Sequence, residues 1–561
     1  MKAAIRGAAV LTTLLGAAVV FSPLAAALSG IDVGGSGLRR SFHGVGALLA
    51  VTSGSALISA LVALLLGAPF AICVERARFW PRRILWAFGL LVLVVPPYIV
   101  AESWIVLLGP VGKISKTAAL WLGFGPRSGD SLELARYVVP GFVYTWPCAG
   151  AVTGACLFPV IALAVASTLR RTDRRIFEAA RLAQGFPGIR RLAARLLVPP
   201  ALGGALLVFA AALTEFAVPQ LLRVRTIGEV VYARVQEGEL ATATVLSLPL
   251  LPVVLFFGAL GAYILTRSRA ASMAGLEGEV PDFTGRAGSR REDCWAAVVS
   301  LCALTPSLVL STASLIWLAV TAKLPAVSTL GKHKVLRASG MFDSLRGAWE
   351  LAHSDAIRTV FLAGLAATLA TIFAILLARL AFRIGWSWSL GVLGAGLAVP
   401  APIVGLGLIT LWNHSWSSLV YQSPAIVLLA WFSRFLPLAV LLVQSALARV
   451  PSELESAAAL AGRGTWGRFG SVVLPNAAPG LAAAWLAMYV LSATEFSATL
   501  LIAPPGNPML APSVVNLMRR GQDPEIAACQ LLLLAVVALP LVVAASGTAT
   551  ACSVLRRKTL A

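Results

Sequence analysis

One strongly charged stretch of this chain lies between two long apolar blocks and reads Arg170-Arg171-Thr172-Asp173-Arg174-Arg175-Ile176-Phe177-Glu178-Ala179-Ala180-Arg181-Leu182-Ala183-Gln184-Gly185. Its alanines favour a helix, and the glycine at its end favours a turn. Eight arginines fall between Arg170 and Arg195, which is the densest run of positive charge in the sequence. We therefore predict a helix and turn that connect two membrane spans outside the bilayer.

A second stretch far downstream repeats this pattern and reads Val450-Pro451-Ser452-Glu453-Leu454-Glu455-Ser456-Ala457-Ala458-Ala459-Leu460-Ala461-Gly462-Arg463-Gly464. Helix-forming residues again lead into a glycine turn, a basic amphipathic stretch and the next apolar block. Two such loops in one membrane protein predict two equivalent docking surfaces for a soluble partner.

The composition excludes a soluble globular protein. Of 561 residues, 58% are hydrophobic and only 12% are charged, and the mean hydropathy is +0.86. The formal net charge of +21 comes from arginines that cluster in short loops between apolar segments, as the positive-inside rule requires. No basic patch is interleaved with aromatic residues, so nucleic-acid binding is not predicted.

Twelve apolar segments are long enough to cross a bilayer, which predicts an all-α polytopic membrane protein with about twelve transmembrane helices. The predicted spans lie at about residues 7–28, 46–74, 84–108, 138–167, 200–222, 244–266, 294–322, 357–380, 388–412, 424–448, 479–502 and 526–545. Two interpretations of the first segment stay open. Ala25-Ala26-Ala27 offers a signal-peptide cleavage site, whereas the length of the segment favours a retained span.

The arginine-rich loop indicates the topology and the division into two units. The positive-inside rule places this loop in the cytoplasm, and six spans on either side of a linker place both termini there too. We predict a first unit at residues 1–266, a cytoplasmic linker at 267–293 and a second unit at 294–561. The first loop, residues 168–197, and the second loop, residues 448–474, are the predicted docking surfaces.

Three landmarks recur in order at nearly constant spacing, which predicts an internal duplication. They are Glu178 with Ser456, Pro200 with Pro479, and the two Thr-Glu-Phe segments that contain Glu215 and Glu495. The offsets in residue number between these pairs agree to within two positions. The proline pairs that begin at Pro96 and Pro400 have a larger offset, which places length changes in the intervening loops. Each half has an even number of predicted spans, so the two copies have the same orientation in the membrane and are related by an axis along the membrane normal. A substrate path is expected between them.

Both loops resemble the EAA loop of ABC-importer permeases, in which Glu-Ala-Ala, a glycine and a later Leu-Pro mark helices that dock on ATPase subunits. The first loop keeps Glu-Ala-Ala but has Gln184 at the family's glycine position, and the second has Ser456 in place of the glutamate but keeps Leu474-Pro475. The resemblance implies ATPase coupling by Glu178, Ala179, Ala180 and Gly185, and by Glu455, Ser456, Ala457 and Gly462.

The resemblance also implies partners and cargo. Gly109-Pro110-Val111-Gly112-Lys113-Ile114 lacks the Ser or Thr of a P-loop, so this chain is expected to have no ATPase site and to rely on a separate ATP-binding dimer. A periplasmic or lipid-anchored binding protein would deliver the substrate at the bacterial inner membrane. Residues 209–222 resemble fused ferric-iron permeases, with thiamine, putrescine and phosphonate as alternative cargoes.

A few ionisable residues fall within the predicted spans, where charge is costly. Glu215 and Glu495 occupy equivalent places, and two interpretations stay open: they face a central pathway that suits a cationic substrate, or they cap and pair locally. Arg434 is expected to pair with a carboxylate or to snorkel towards the interface. Glu102 is a further carboxylate within a predicted span.

Two other classes of function are alternatives to the importer. An ion-coupled secondary transporter needs mid-membrane carboxylate sites, of which the sequence offers few. A membrane enzyme would need a catalytic set, and His333, His353, Asp343 and Asp355 share the largest outer loop without metal or triad spacing. Seven cysteines without a CxxC pair and four scattered histidines predict neither a metal nor a cofactor.

Overall fold

The structure of the chain is a computed structural model, and nearly all of what it describes is helical. The described residues are 2–29, 44–109, 112, 114–115, 140–170, 172, 174–273, 290–323, 334–336, 338–384, 396, 399–519 and 524–560. Helices of the first half are α1 (Lys2–Ser29), α2 (Val45–Arg76), α3 (Phe79–Leu91), α4 (Pro97–Leu108), α5 (Pro140–Val143), α6 (Trp146–Leu169), α7 (Arg174–Leu213), α8 (Ala217–Leu221), α9 (Ile227–Gln236), α10 (Leu240–Ser247) and α11 (Leu250–Met273).

The second half adds twelve helices and one short pair of strands to the described structure. The helices are α12 (Arg290–Leu304), α13 (Leu310–Val320), α14 (Ala338–Ile384), α15 (Ala401–Trp412), α16 (Ser418–Tyr421), α17 (Ala425–Leu447), α18 (Ser452–Leu460), α19 (Thr465–Arg468), α20 (Leu474–Ala493), α21 (Ser497–Ile502), α22 (Leu510–Met518) and α23 (Pro524–Leu560). The strands β1 (Thr321–Lys323) and β2 (Lys334–Leu336) pair antiparallel, with Thr321 opposite Leu336.

Hydropathy and helix length support the predicted spans. Among the described residues, nine helices are long and apolar enough to cross a membrane, and the bent pair α3–α4 brings the number to ten when it is counted as one span. Two shorter apolar helices, Leu14–Ser29 and Ala401–Trp412, fall in the remaining predicted segments. The prediction of an all-α polytopic membrane protein is confirmed. Within the segment predicted at 388–412, residues 388–395 and 397–398 lie outside the described structure.

The prediction that Asp343, His353 and Asp355 lie in an outer loop was wrong in part, because all three lie in α14, which begins at Ala338 and continues without a break to Ile384. Ser344, Ala348 and Ala352 are buried at helical spacing, which is the periodicity of an amphipathic helix. Asp355 is buried on this helix and accepts a hydrogen bond from Ser513 at 2.6 Å. It therefore has a structural partner in the second half.

Equivalent elements recur in the two halves at the spacing found in the sequence. The helices α4 and α15 each have 12 residues, and each follows an extended proline, Pro96 or Pro400. Proline lacks the N–H that a helix interior requires, so the preceding span breaks there, and α3 and α4 are bent by 91°. Threonines also recur: Thr52 accepts the Ile227 N–H at the start of α9, as Thr359 accepts the Leu510 N–H at the start of α22.

The first span of each half packs on the other half. Helix α1 lies against α15, α14 and α17, whereas α12 and α13 lie against α2 and α4. Small residues permit these close approaches. The backbone carbonyl of Pro23 in α1 lies against the Cα of Gly407 in α15, where no Cβ would fit, and Ser433 donates to the Val19 carbonyl at 2.8 Å.

The two charged loops lie at the same end of the molecule. Asp293, at the start of α12, pairs with Arg78, which follows α2 at the end nearest the first loop. The chain then crosses once through α12 and α13 and returns through α14. Near the end of α14, Arg379 contacts Glu455 of the second loop. Two crossings return the chain to the side where they began, so both loops face that side.

Candidate functional site: paired loops and a central polar cluster

The second loop is a short helix closed by a glycine turn. Glu453 and Glu455 lie in the first turn of α18, where carboxylates are favoured by the helix dipole. At the other end Gly462 has φ of 77° and donates to the Ala459 carbonyl at 3.0 Å, while the next N–H donates to Ala458 at 3.1 Å. This pair of bonds is the Schellman motif, whose left-handed position strongly favours glycine.

The first loop turns at the equivalent place, one residue from the position suggested by the resemblance. Gly185 has φ of 62° and ψ of −145° and breaks α7, which otherwise runs for 40 residues. Gln184 precedes the break and accepts a hydrogen bond from Arg191 at 3.1 Å. Gly185 therefore performs in the first loop the turn that Gly462 performs in the second.

Matched apolar side chains are exposed on the two loops. Leu182 is 89% exposed and Leu460 is 92% exposed, and the offset between them equals that between Glu178 and Ser456. Ile176 and Leu454, at the same offset, are 41% and 43% exposed. Exposed apolar residues in a recurring arrangement, at the end of the molecule that carries the charged loops, are typical of a protein–protein contact surface.

The other predicted loop residues lie on the same helices. Ala179, Ser456 and Ala457 are exposed, and the Ser456 hydroxyl donates to the Ser452 carbonyl at 3.0 Å. Ala180 is half-buried, and Glu178 lies in α7. Their contacts with a partner remain a prediction.

Glu455 of the second loop forms an ion pair with Arg379 near the end of α14. The side chains are 27% and 14% exposed, so solvent screens this pair only in part. The Arg379 guanidinium also lies 5.2 Å from the ring centre of Phe469, which follows the loop helix. Arg379 thus connects the span α14 to residues before and after the glycine turn of the second loop.

An ion pair of reversed polarity fastens the first loop. Arg170, at the start of the loop, pairs with Glu75 in α2 at 2.6 Å and lies 5.2 Å from the ring centre of Trp86. The Trp86 indole N–H donates to Glu75 at 2.8 Å. Glu75 and Arg379 are related by the same offset as Pro96 and Pro400, so equivalent positions carry opposite charges. We call these two ion pairs the loop anchors.

The two Thr-Glu-Phe segments follow long spans and precede the short helices α8 and α21. Glu215 accepts the Ala217 N–H at 3.0 Å and the Val218 N–H at 3.4 Å. Glu495 similarly accepts the N–H groups of Ala498 and Thr499 at 2.9 and 2.8 Å. Each carboxylate therefore caps the helix that follows it, as the local interpretation expects.

These equivalent segments also meet between the halves. The rings of Phe216 and Phe496 stack with centroids 6.0 Å apart and an interplanar angle of 9°. Tyr98 of α4 packs on Phe496 at 6.0 Å, and all three rings are buried. The aromatic closure formed by Tyr98, Phe216 and Phe496 lies beside the two carboxylates.

Arg434 of α17 resolves the pairing that the sequence left open, because its guanidinium contacts Glu495. The Thr499 hydroxyl also bonds Glu495 and accepts the Trp431 indole N–H at 2.9 Å. Sequence reasoning found the charged residues because they stand within apolar segments, but it missed Tyr98 and Trp431, which carry no such signal. Within the described residues, no three His, Cys, Asp or Glu side chains are grouped to hold a metal.

The fold defines an all-α multi-pass membrane protein. Residues 283–552 match the family described as "Binding-protein-dependent transport system inner membrane component".

Curated relatives extend this comparison at low identity. The chain is 30% identical over 142 residues to "Putative 2-aminoethylphosphonate transport system permease protein PhnV" of Salmonella typhimurium, which is 25% of this chain and 53% of the relative. It is 29% identical over 105 residues to "Fe(3+)-transport system permease protein FbpB 2" of Haemophilus influenzae, which is 19% of this chain and 21% of the relative. The chain thus spans about half the length of PhnV and about a fifth of FbpB 2.

Proposed function

We propose that this chain is the transmembrane permease subunit of a binding-protein-dependent ABC importer at the bacterial inner membrane. Its cargo is a small solute, and the work comes from a separate ATP-binding dimer that docks on both loops from the cytoplasm. The observation that carries this proposal is the matched pair of exposed leucines, Leu182 and Leu460, each close to a glycine turn.

The geometry supports docking because burial of an exposed apolar side chain is favourable by about 25 cal/mol per Å². Two equivalent patches at one end of the molecule suit a symmetric dimer, since each ATPase subunit meets the same chemistry. The loop anchors then connect each patch to α2 or α14. Movement of the docked dimer would reach the membrane spans through them.

The duplicated helices support two permease units at residues 1–266 and 294–561, joined by the linker at 267–293. Residues 274–289 of the linker lie outside the described structure. The aromatic closure between the halves suits a pathway that is shut in this state. Alternating access would then require the two Thr-Glu-Phe segments to separate.

Two cargoes are candidates. Ferric iron is suggested by the likeness of residues 209–222 to ferric-iron permeases and by the match to FbpB 2. 2-Aminoethylphosphonate is suggested by the longer match to PhnV. Thiamine and putrescine are further alternatives of the same architecture, and an ion-coupled secondary transporter is the alternative mechanism.

Capture of the ATPase tests the docking step. We expect a tagged chain to copurify an ATP-binding protein from membranes of its own host, and Leu182→Glu with Leu460→Glu to abolish capture because two charges replace the apolar contacts. Leu419→Glu is the matched control, since Leu419 is 89% exposed in α16, at the other end of the molecule. Equal capture by the double variant would contradict the proposal.

Uptake tests the transport step. Cells that carry the wild-type gene are expected to accumulate labelled ferric iron or 2-aminoethylphosphonate in an ATP-dependent manner, and cells with the double leucine variant are not. Full uptake after ATP depletion, with a membrane potential maintained, would favour the secondary transporter instead.

A further inference from the structure

The spans α6 and α17 occupy equivalent places in the two halves, but one position differs in charge. Both contain a proline, Pro159 or Pro437, and the offset between these prolines equals that between the two loops. At the same offset Cys156 stands in α6 where Arg434 stands in α17. Cys156 is buried in α6, which packs on the helix α8 that Glu215 caps, whereas Arg434 is in contact with Glu495.

The two equivalent carboxylates therefore have different partners. Glu495 has its cap bonds and also a guanidinium from its own half. Glu215 keeps its two cap bonds, but among the described residues it forms no ion pair. Arg434 and Glu495 exert opposite electrostatic effects on the Glu215 carboxylate, and neither contacts it within the described structure. Within the described structure the cluster holds these two carboxylates and one guanidinium, so the Glu215 carboxylate lacks a contacting cation there.

A second polar group beside Glu215 also lacks a partner. The Tyr98 side chain is 2% exposed, and its hydroxyl forms no hydrogen bond within the described structure. The Tyr98 ring packs on Phe496, which stacks in turn on Phe216, and these two phenylalanines directly follow Glu495 and Glu215 in the chain. A buried hydroxyl without a partner is costly, which suggests a ligand that it contacts in another state of the protein. The adjacent aromatic rings offer faces that attract cations.

We propose that Glu215 and Tyr98 form a subsite for a positively charged nitrogen of the transported solute, which binds Glu215 as the Arg434 guanidinium binds Glu495. This inference rests on the proposed permease function and assigns the substrate class as a small organic ammonium compound. In the second half Arg434 already pairs with Glu495. Only Glu215 is therefore left to bind an ammonium group of the solute. Of the two candidate cargoes, 2-aminoethylphosphonate carries such a group.

The subsite has a physical requirement that the arrangement meets. A pathway site must attract the solute but must also release it. One carboxylate, already bonded to two backbone N–H groups and within the field of Arg434, attracts a cation less strongly than an isolated buried carboxylate would. Glu215 can therefore act as a transient contact.

Two variants test the subsite from opposite directions. Glu215→Gln keeps an oxygen that accepts the cap bonds but removes the charge. Cys156→Arg keeps Glu215 and gives it the guanidinium that the second half already has. Both are expected to lower uptake of labelled 2-aminoethylphosphonate by about tenfold or more, because a charge-assisted contact is lost or blocked. Glu237→Gln, which neutralises an exposed glutamate of the same half, is the control and should change uptake by less than about twofold.

Membrane abundance and capture of the ATPase are measured for every variant, so that a folding defect is recognised. Glu215→Gln is nearly isosteric, so the test stays valid even if Cys156→Arg misfolds. Normal uptake by Glu215→Gln would overturn the subsite. If the double leucine variant still loses uptake in that case, the proposed permease function stands. Uptake of ferric iron but not of 2-aminoethylphosphonate by the wild type also overturns the ammonium assignment alone. Uptake of neither solute in a chain-dependent manner overturns the proposed cargoes and the subsite together.

Discussion

At the scale of single residues, two glycines shape the candidate docking surfaces. Gly185 and Gly462 both have positive φ, although only Gly462 stands at the glycine position of the family pattern. The sequence predicted a turn in each loop, but it could not decide between positions 184 and 185. Backbone sterics decide, because φ of 62° with ψ of −145° is accessible to glycine and not to glutamine.

A substitution at Gly462 should impair transport without loss of insertion. Gly462→Ala places a Cβ at a left-handed position, which costs about 1–2 kcal/mol and opens the Schellman turn. We expect uptake to fall several-fold, and Gly462→Glu to abolish it, with unchanged abundance in the membrane. Gly464→Ala is the control, because Gly464 has an ordinary φ of −64° and open space around it. Equal uptake by the two alanine variants would show that transport does not depend on the glycine turn.

The charged residues of the central cluster could be recognised in the sequence, but their pairing could not, because the partners are far apart along the chain. Arg434 lies in α17 and Glu495 lies between α20 and α21, far away in sequence, so no local pattern connects them. Glu215 and Glu495 fulfil the local interpretation by capping α8 and α21. They also lie where the halves meet, which neither periodicity nor composition could reveal.

At the scale of elements, hydropathy located the spans, whereas contacts between them required the structure. The break at Pro96 was foreseeable because proline interrupts a helix, but its 91° bend was not. Close approach of α2 and α6 depends on glycines in the sequence Gly150-Ala151-Val152-Thr153-Gly154. That spacing was a signal for helix contact that the sequence interpretation did not use.

A glycine in this contact should control stability. A Cβ at Gly154 would lie 2.4 Å from the backbone carbonyl oxygen of Ser59, so Gly154→Ala must push the helices apart. We expect a loss of about 1–3 kcal/mol, seen as a lower melting temperature of the purified protein in detergent. Gly364→Ala is the matched control in span α14, where no atom lies within 4 Å of the added Cβ. A larger shift for the control would contradict the packing argument.

The loop anchors predict a charge-reversal rescue. Arg379→Glu and Glu455→Arg each leave two like charges in a partly buried contact, so each should reduce ATP-dependent uptake by about tenfold. The double variant restores opposite charges and should recover most of the uptake. The double variant also restores the net charge, so Arg379→Glu combined with Glu453→Arg is the control: it restores the net charge without the pair and should not recover uptake. The same three variants at Glu75 and Arg170 provide the equivalent test in the first half.

At the scale of the whole molecule, each half holds the first span of the other. Helix α1 lies on α15, and α12 lies on α2, so the halves are interlocked by two helices. Hydropathy indicated the number of spans but not this exchange, because every candidate surface in the bilayer is apolar.

The central claim is that one ATP-binding dimer grips both loops from the same side. Photo-crosslinking in intact host cells tests it most directly, with a photoreactive amino acid at position 182 in one variant and at position 460 in another. We expect both positions to crosslink to the same ATP-binding protein and position 419 not to do so. Crosslinks to different proteins, or to lipid alone at both positions, would contradict it.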